Sequence, residues 1–243
     1  MKRFLAVQHT FSEFFGALEA QWEARGIGFR YVRPVAGDDV AGTPSQFDAL
    51  WLLGAAWPAA DREHCPWVDD EIRLVSAFLK AKRPVVGLGC GAQVLAAAHG
   101  ASLHAEPQHD TYFTRARALA DDPLARAVDG RMVLVMANGA AGPAPALEPV
   151  VAAEDGRAIA FRAGALGYGL SFRPELKPGM LEDMVMEEGR PLPEDFGALI
   201  EAAREQWPQM QETTGRVAAA LVEALGLMDE RAKAPVIRIV EQR

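Results

Sequence analysis

Residues 84–98 read PVVGLGCGAQVLAAA. The apolar run from Pro84 to Leu88 is short and reads as a buried strand. The run from Gln93 to His99 has helical character and is closed by Gly100, a flexible residue favoured at a helix C-terminus. A buried strand entering a tight turn and then a helix is the layout of a nucleophile elbow. Such a turn presents one side chain at the helix N-terminus, where backbone N–H groups can stabilise an oxyanion. Strand and helix pack closely there, so small residues are needed two before and two after the apex. Gly87 and Gly91 meet this condition if the apex is Gly89. With Cys90 as apex the flanking positions become Leu88 and Ala92, which fit less well. The spacing therefore puts a glycine where a nucleophile would stand.

Short apolar strands alternate with helix-period segments through the first hundred residues. Residues 3–7, 29–32 and 49–53 read as strands. Phe11, Phe15, Leu18 and Trp22 fall at helical spacing, and after Pro66-Trp67 a second helix is predicted with core face Val68, Ile72, Val75 and Leu79. Alternation at this pitch implies a parallel sheet covered on both faces. From residue 103 to 172 the chain offers short strands separated by Gly- and Pro-rich turns, as antiparallel additions to that sheet would, with a helical patch at 123–128. Helices return at 180–187, 195–207 and 215–225. Pro208 is predicted to part the last two, because it removes a backbone donor and clashes one turn back. Thr213 or Thr214 then offers an N-cap. With no repeat and no linker, one α/β domain over residues 1–228 is expected, followed by a tail, 229–243. The tail's apolar patch, 236–240, reads either as an edge strand or loose terminus or as an arm contributed to a partner subunit.

The 243 residues carry 25 basic against 33 acidic side chains, a net charge of −8. That argues against a nucleic-acid surface as the main function, since phosphate binding needs a basic face, but leaves room for a small anionic ligand. Two cysteines make no disulfide framework, which points to a reducing cytoplasm. No stretch approaches ~20 uninterrupted apolar residues, so no membrane span is expected. His64-Cys65, and the loose group His99, His104 and His109, lack paired zinc-ligand spacing, so no metal is predicted. Gly87, Gly89 and Ala92 also satisfy a dinucleotide-binding pattern. They sit on a later strand than the opening unit where that fingerprint occurs, so no cofactor is predicted.

The same segment resembles the class I glutamine amidotransferase motif G-x-C-x-G-x-Q, whose cysteine attacks the amide of glutamine. Gly87, Gly91 and Gln93 match three anchors in register, with Gly89 at the cysteine position and Cys90 one residue late. A second signature of that family, F-H-P-E, is similar to Phe172-Arg173-Pro174-Glu175, with Glu175 kept and Arg173 in place of histidine. Gly54 and Ala55 resemble the turn that provides an oxyanion donor, and Trp57 follows it closely enough to fill a substrate cleft. Pro66-Trp67 and Met180-Leu181 resemble the branch that contains the amidotransferase portion of GMP synthase. The resemblance implies a flavodoxin-like fold, a mostly parallel central sheet with helices on both faces and additional antiparallel strands. It also implies a ligand pocket at Gly54, Ala55, Trp57, Gly87, Gly91 and Gln93, a glutamine-like ligand, and a partner synthase or other protein subunit.

The departures decide the chemistry. Thiol-dependent amide hydrolysis needs a thiolate and a base that titrates near the operating pH. Glycine has no nucleophile, and arginine does not deprotonate in a useful range. Loss of hydrolysis with retention of a binding or structural task is therefore expected. Residues two apart along a strand share a face, so Arg173 and Glu175 are expected side by side. Two readings of Arg173 follow, an internal ion pair closing the old pocket or a guanidinium offered to a carboxylate or phosphate at the following helix N-terminus. Cys90 likewise has two readings, a small buried inert thiol or a substitute nucleophile acting on glutamine, a related amide or a thioester.

Overall fold

The computed structural model describes residues 1–40, 42–107 and 110–229; the tail patch at 236–240 and His109 lie outside the described residues. The first half alternates strand and helix: β1 (Lys2–Val7), α1 (Ala17–Ala24), β2 (Ile27–Val32), β3 (Ala49–Leu52), α2 (Val68–Lys80), β4 (Val85–Leu88) and α3 (Cys90–Ala98). The middle holds β5 (Leu103–His104), β6 (Asp110–Arg115), β7 (Arg117–Ala118), α4 (Pro123–Val128), β8 (Met132–Ala137), β9 (Ala140–Ala141), β10 (Leu147–Ala152), β11 (Ala158–Ala163) and β12 (Gly167–Leu170). Two helices close the described chain, α5 (Pro178–Met186) and α6 (Phe196–Leu225).

The main sheet runs β2-β1-β3-β4-β12-β11-β10-β7. Pairs from β2 to β12 are parallel, and those from β12 to β7 antiparallel. This is the expected parallel sheet with antiparallel additions, except that β6 pairs with β8 and β5 with β9 in two separate two-stranded ribbons instead of joining it. Its central strands β3, β4 and β12 are buried on both faces, and the period of two sorts their side chains. Phe4, Ala6, Trp51, Val86 and Leu88 enter one core with α1, α4 and the second half of α6. Leu5, Val7, Leu50, Leu52 and Val85 enter the other, under α2 and α3. A third core forms where α5 and the first half of α6 meet β8. No helix among the described residues is long and apolar enough to cross a membrane.

Several local expectations are corrected. Phe11 does not begin a helix: it is 63% exposed, and α1 starts only at Ala17, because residues 8–16 form a loop that carries Glu13 inward. The expected face of α2 does meet the core, with Val68 and Val75 fully buried and Ile72 and Leu79 partly buried against it, but the buried stripe is wider and also takes in Leu74, Phe78 and the unexpected Glu71. Pro208 does not divide α6, which runs unbroken through it. Apolar anchors on both sides, Ile200, Ala203 and Met210 before and after the proline and Val217 and Leu221 beyond, hold the helix together against the lost donor. Thr213 and Thr214 are accordingly mid-helix, their hydroxyls donating to the carbonyls of Gln209 (2.8 Å) and Met210 (2.9 Å) instead of capping.

Candidate functional site

Gly89 lies between the C-terminal end of β4 and the first turn of α3, with φ +54° and ψ −116°, a backbone conformation that L side chains rarely adopt. The crowding around it gives the two flanking glycines their reason. A methyl group on Gly87 would run into the carbonyl of Gly91, and one on Gly91 into the carbonyl of Leu52. Strand β4, helix α3 and β3 therefore meet at backbone contact distance. Gly16 adopts nearly the same conformation (φ 51°, ψ −116°) at the start of α1, where the Ala17 N–H donates to the Glu175 carbonyl (2.8 Å).

The segment 172–176 follows β12 as a turn rather than as the strand expected for it, with Phe172 making a single antiparallel bridge to Val135. Three elements pin it: the Arg173 N–H donates to Leu134 of β8, the Glu175 carbonyl accepts from α1, and the Pro174 carbonyl accepts from Thr214 of α6 (2.6 Å). Arg173 and Glu175 do lie side by side. Nε of Arg173 donates to Oε1 of Glu175 at 2.6 Å, and Nη2 donates to Oε2 of Glu13 at 2.5 Å. Glu13 in turn accepts from Arg190 (2.5 Å), which also reaches Glu187 (2.7 Å) and Ser12 (3.2 Å). The side chains of Arg173, Glu13, Glu175 and Arg190 are each 3% exposed or less. The cluster sits against Gly54, where an added methyl would meet the Glu13 carboxylate and the Arg173 guanidinium. It also faces the elbow, since a Cβ on Gly89 would stand 2.9 Å from Nη1 of Arg173. Nη1 itself has no hydrogen-bond partner among the described residues.

Burial pushes the Glu13 carboxyl up, but Arg190 and Arg173 outweigh it and hold the pKa at about 2. For Glu175 burial wins over Arg173, and its pKa is raised. Its second oxygen, Oε2, is buried without a partner among the described residues. Burial would lower Arg173, yet Glu175 and Glu13 raise it further above its ordinary value.

A second buried pair supports the Gly54 turn from beneath. His9 Nδ1 donates to the carbonyls of Leu53 (3.0 Å) and Gly54 (3.1 Å), and Nε2 meets Oε1 of Glu71 at 2.6 Å. Burial lowers the His9 pKa, but Glu71 overrides it and carries it up to about 9, an imidazolium with both nitrogens donating. Its ring stacks on Trp67 at 5.7 Å. The segment after Gly54 is tied across the site as well. Gln93 accepts from the Ala59 N–H (3.0 Å) and donates to the Asn138 carbonyl (2.5 Å), while Asn138 donates to the Ala56 carbonyl (2.8 Å). Ala55 is buried there. Trp57 stacks on His64 at 4.0 Å and walls a groove of about 600 Å³ that also touches His9, Phe11 and Arg190, rather than plugging the turn.

Cys90, the first residue of α3, is 3% exposed and packs under the sheet beside the fully buried Cys65. The neighbouring Cys65 thiol, together with burial, raises its pKa well above the ordinary thiol value. The structure thus gathers Gly54, Gly89, Arg173 and Glu175 at one point and sets Cys90 behind it. Sequence reasoning missed Glu13, Arg190, His9 and Glu71. The signals available were a glutamate inside the aromatic run Phe11–Phe15 and one on the apolar face of α2.

The fold is shared with solved proteins. A glutamine amidotransferase from Thermotoga maritima matches with TM-score 0.76 at 21% identity, over 91% of this chain and 98% of its own. One from Methylobacillus flagellatus matches with TM-score 0.79 at 16% identity, over 98% and 99%. A GMP synthase subunit from Thermoplasma acidophilum matches more distantly, with TM-score 0.55 at 17% identity over 86% and 98%. In sequence, the glutamine amidotransferase-like protein YfeJ of Salmonella typhimurium is 31% identical over 107 residues. That match takes in 43% of this chain and 45% of the curated relative, so the chain spans under half of the relative's length. No family model matches the chain. The fold is that of the class I glutamine amidotransferases, in agreement with the resemblance carried by Gly87, Gly91 and Gln93.

Proposed function

We propose that this chain is a glutamine amidotransferase-like protein that has lost glutamine hydrolysis and serves as a non-catalytic binding or partner subunit. The observation that carries the reading is the Arg173 guanidinium, held over the Gly89 turn by Glu13 and Glu175. Amide hydrolysis at such an elbow needs a sulfur at the apex and a base that exchanges protons near neutral pH. Gly89 supplies no sulfur, and Arg173 stays charged. The guanidinium also takes the space above the turn in which nucleophile and base would meet. His9 does not substitute as a base, because it is a cation with both nitrogens committed to Glu71 and to backbone carbonyls.

Binding is the task these residues remain suited to. Nη1 of Arg173 faces the N-terminus of α3, and a small anion or the oxygen of a glutamine-like molecule would reach it once the guanidinium swings out of the space it fills over Gly89. A partner synthase or other protein subunit would seat on the groove beside Trp57, whose rim exposes Phe11 and Val35. The Thermoplasma protein of the same fold is itself named as a subunit.

Glutamate release from glutamine tests the reading on the natural chain beside a Gly89→Cys/Arg173→His double variant. Silence of the natural chain is expected, and a gain in the double variant would show that the rest of the scaffold is intact. Turnover by the natural chain that Cys90→Ala abolishes would overturn the reading and move the site to Cys90.

A further inference from the structure

A cavity of about 390 Å³ lies between the β6–β8 ribbon and the antiparallel end of the main sheet, within the size range of small-molecule sites. The period of two explains why it is there. On the ribbon, Tyr112 pairs with Val135 and Asp110 with Ala137, all facing the cavity. The alternate residues Phe113, Leu134 and Met136 turn into the core under α5 and α6. The opposite wall is built around the direct pair Pro149 and Phe161 of β10 and β11. Glycines and alanines at 139–142 line the space between without filling it.

The polar groups at this cavity divide into spent and free. The Gln93 amide is held by Ala59 and Asn138, which fix its orientation. Arg157 donates to Asp155 (2.6 Å) and Asp110 (2.5 Å) and lies 4.8 Å over the Tyr112 ring, so it has no charge to offer. Two carboxylates against one guanidinium leave that rim negative. The Ser171 and Tyr112 hydroxyls, both lining the cavity, have no hydrogen-bond partner among the described residues.

We propose that this cavity is a binding site for a compact, uncharged, largely apolar molecule with an aromatic ring and one hydrogen-bonding group. The ring packs against Phe161 and Val135, and the polar group meets the Ser171 and Tyr112 hydroxyls. Neither Gly89 nor Arg173 lines the cavity, so the site stands or falls independently of the loss of hydrolysis.

Fluorescence titration of the full chain with N-phenylnaphthylamine, a neutral apolar probe, tests this. Saturable binding of one probe per chain with blue-shifted emission is expected. Ala137→Phe, which fills the cavity, should weaken binding about tenfold or more, the equivalent of about 1.4 kcal/mol. Ser171→Ala removes one hydrogen bond without blocking space and should weaken it roughly threefold to tenfold. The anionic probe anilinonaphthalene sulfonate should bind about tenfold more weakly than the neutral one, because of the negative rim. Far-ultraviolet circular dichroism establishes that each variant is folded, and Ser171→Ala decides alone if Ala137→Phe is not. Absence of saturable binding, or affinity unchanged in the folded variants, overturns the proposal.

Discussion

The guanidinium of Arg173 and the carboxylate of Glu175, two residues apart in one turn, are joined by a 2.6 Å hydrogen bond with both side chains out of solvent. Spacing brings them near each other, but the elements that grip the turn fix the geometry: β8 through Leu134, α1 through Ala17 and α6 through Thr214. Once held there, the guanidinium needs more negative charge than Glu175 supplies. Glu13 provides it from a loop 160 residues away, and Arg190 balances Glu13 in turn. Retaining both buried arginines and both glutamates is thus a single condition on the packing.

Arg173→Met tests that condition. Removing one member of a buried charge network leaves the others uncompensated, which costs about 3–5 kcal/mol. For a chain of this size that lowers the melting temperature by roughly 10 °C. Arg204→Met is the control: Arg204 pairs with Glu182 and Glu201 in solvent, where water screens the charges, so its loss should leave the unfolding midpoint nearly unchanged. Urea unfolding of the two variants compares them, and equal costs would sink the idea that the buried network is special.

Gly89→Cys and Arg173→His should be coupled. A Cβ at Gly89 stands 2.9 Å from Nη1 of Arg173, so the single cysteine variant must displace a guanidinium that is otherwise locked. The backbone conformation of Gly89, rare for L side chains, adds about 1–3 kcal/mol for the cysteine. Shortening Arg173 to histidine removes the first cost and leaves the second. A double-mutant cycle on unfolding free energy should therefore show a favourable interaction of about 1 kcal/mol. Strict additivity would mean that the guanidinium does not guard the turn.

The elbow was legible because its requirement is local. Three glycines spaced by two describe how close strand and helix approach, and the crowding at Gly87 and Gly91 has that cause. Alternating hydrophobic strands and helices gave the layers for the same reason. The pairing of Glu13 with Arg173 and Arg190 was not legible: a glutamate inside the aromatic run Phe11–Phe15 signals an inward carboxylate, but nothing near it announces a partner so far along the chain. His9 and Glu71, 62 residues apart, were hidden likewise. Pro208 failed in the opposite direction: the local rule is sound, and tertiary packing on both sides of the proline overrides it.

That override has a measurable cost. Pro208 is exposed, so its replacement by alanine restores a helix donor without disturbing a core. Pro208→Ala should stabilise the chain by about 1–3 kcal/mol in chemical denaturation. A neutral result would mean that the backbone around the proline has already relaxed its lost bond.

Cysteine reactivity separates the two readings of Cys90. The Cys65 thiol beside it and its burial keep Cys90 a thiol; the pKa of Cys65 itself is lowered by Cys90 and the His9 cation, and its complete burial is what shields it. Only the thiolate is nucleophilic. Iodoacetamide at neutral pH should leave both cysteines unmodified in the native chain and alkylate both in urea, as read by mass spectrometry. Fast native alkylation at Cys90 would restore it as a candidate nucleophile.

The His9–Glu71 pair predicts a stability loss on the alkaline side. The folded pKa of His9, about 9, lies above its ordinary value of 6.5, so the folded chain holds this proton more tightly than the unfolded one. The contribution is complete below pH 6.5 and disappears as pH rises through about 9. Its size is about 3 kcal/mol, or roughly 10 °C in melting temperature. Geometry supplies the cause. A neutral imidazole carries one N–H, so at high pH either the Leu53 and Gly54 carbonyls or the Glu71 carboxylate loses its donor. Melting curves from pH 6.5 to 9.5 should fall more steeply for the natural chain than for His9→Gln, whose side chain does not titrate. The variant should be less stable than the natural chain at pH 6.5 and approach it near pH 9.5. Parallel curves would show that His9 is neutral in the fold and that the Gly54 turn rests on something other than a buried cation.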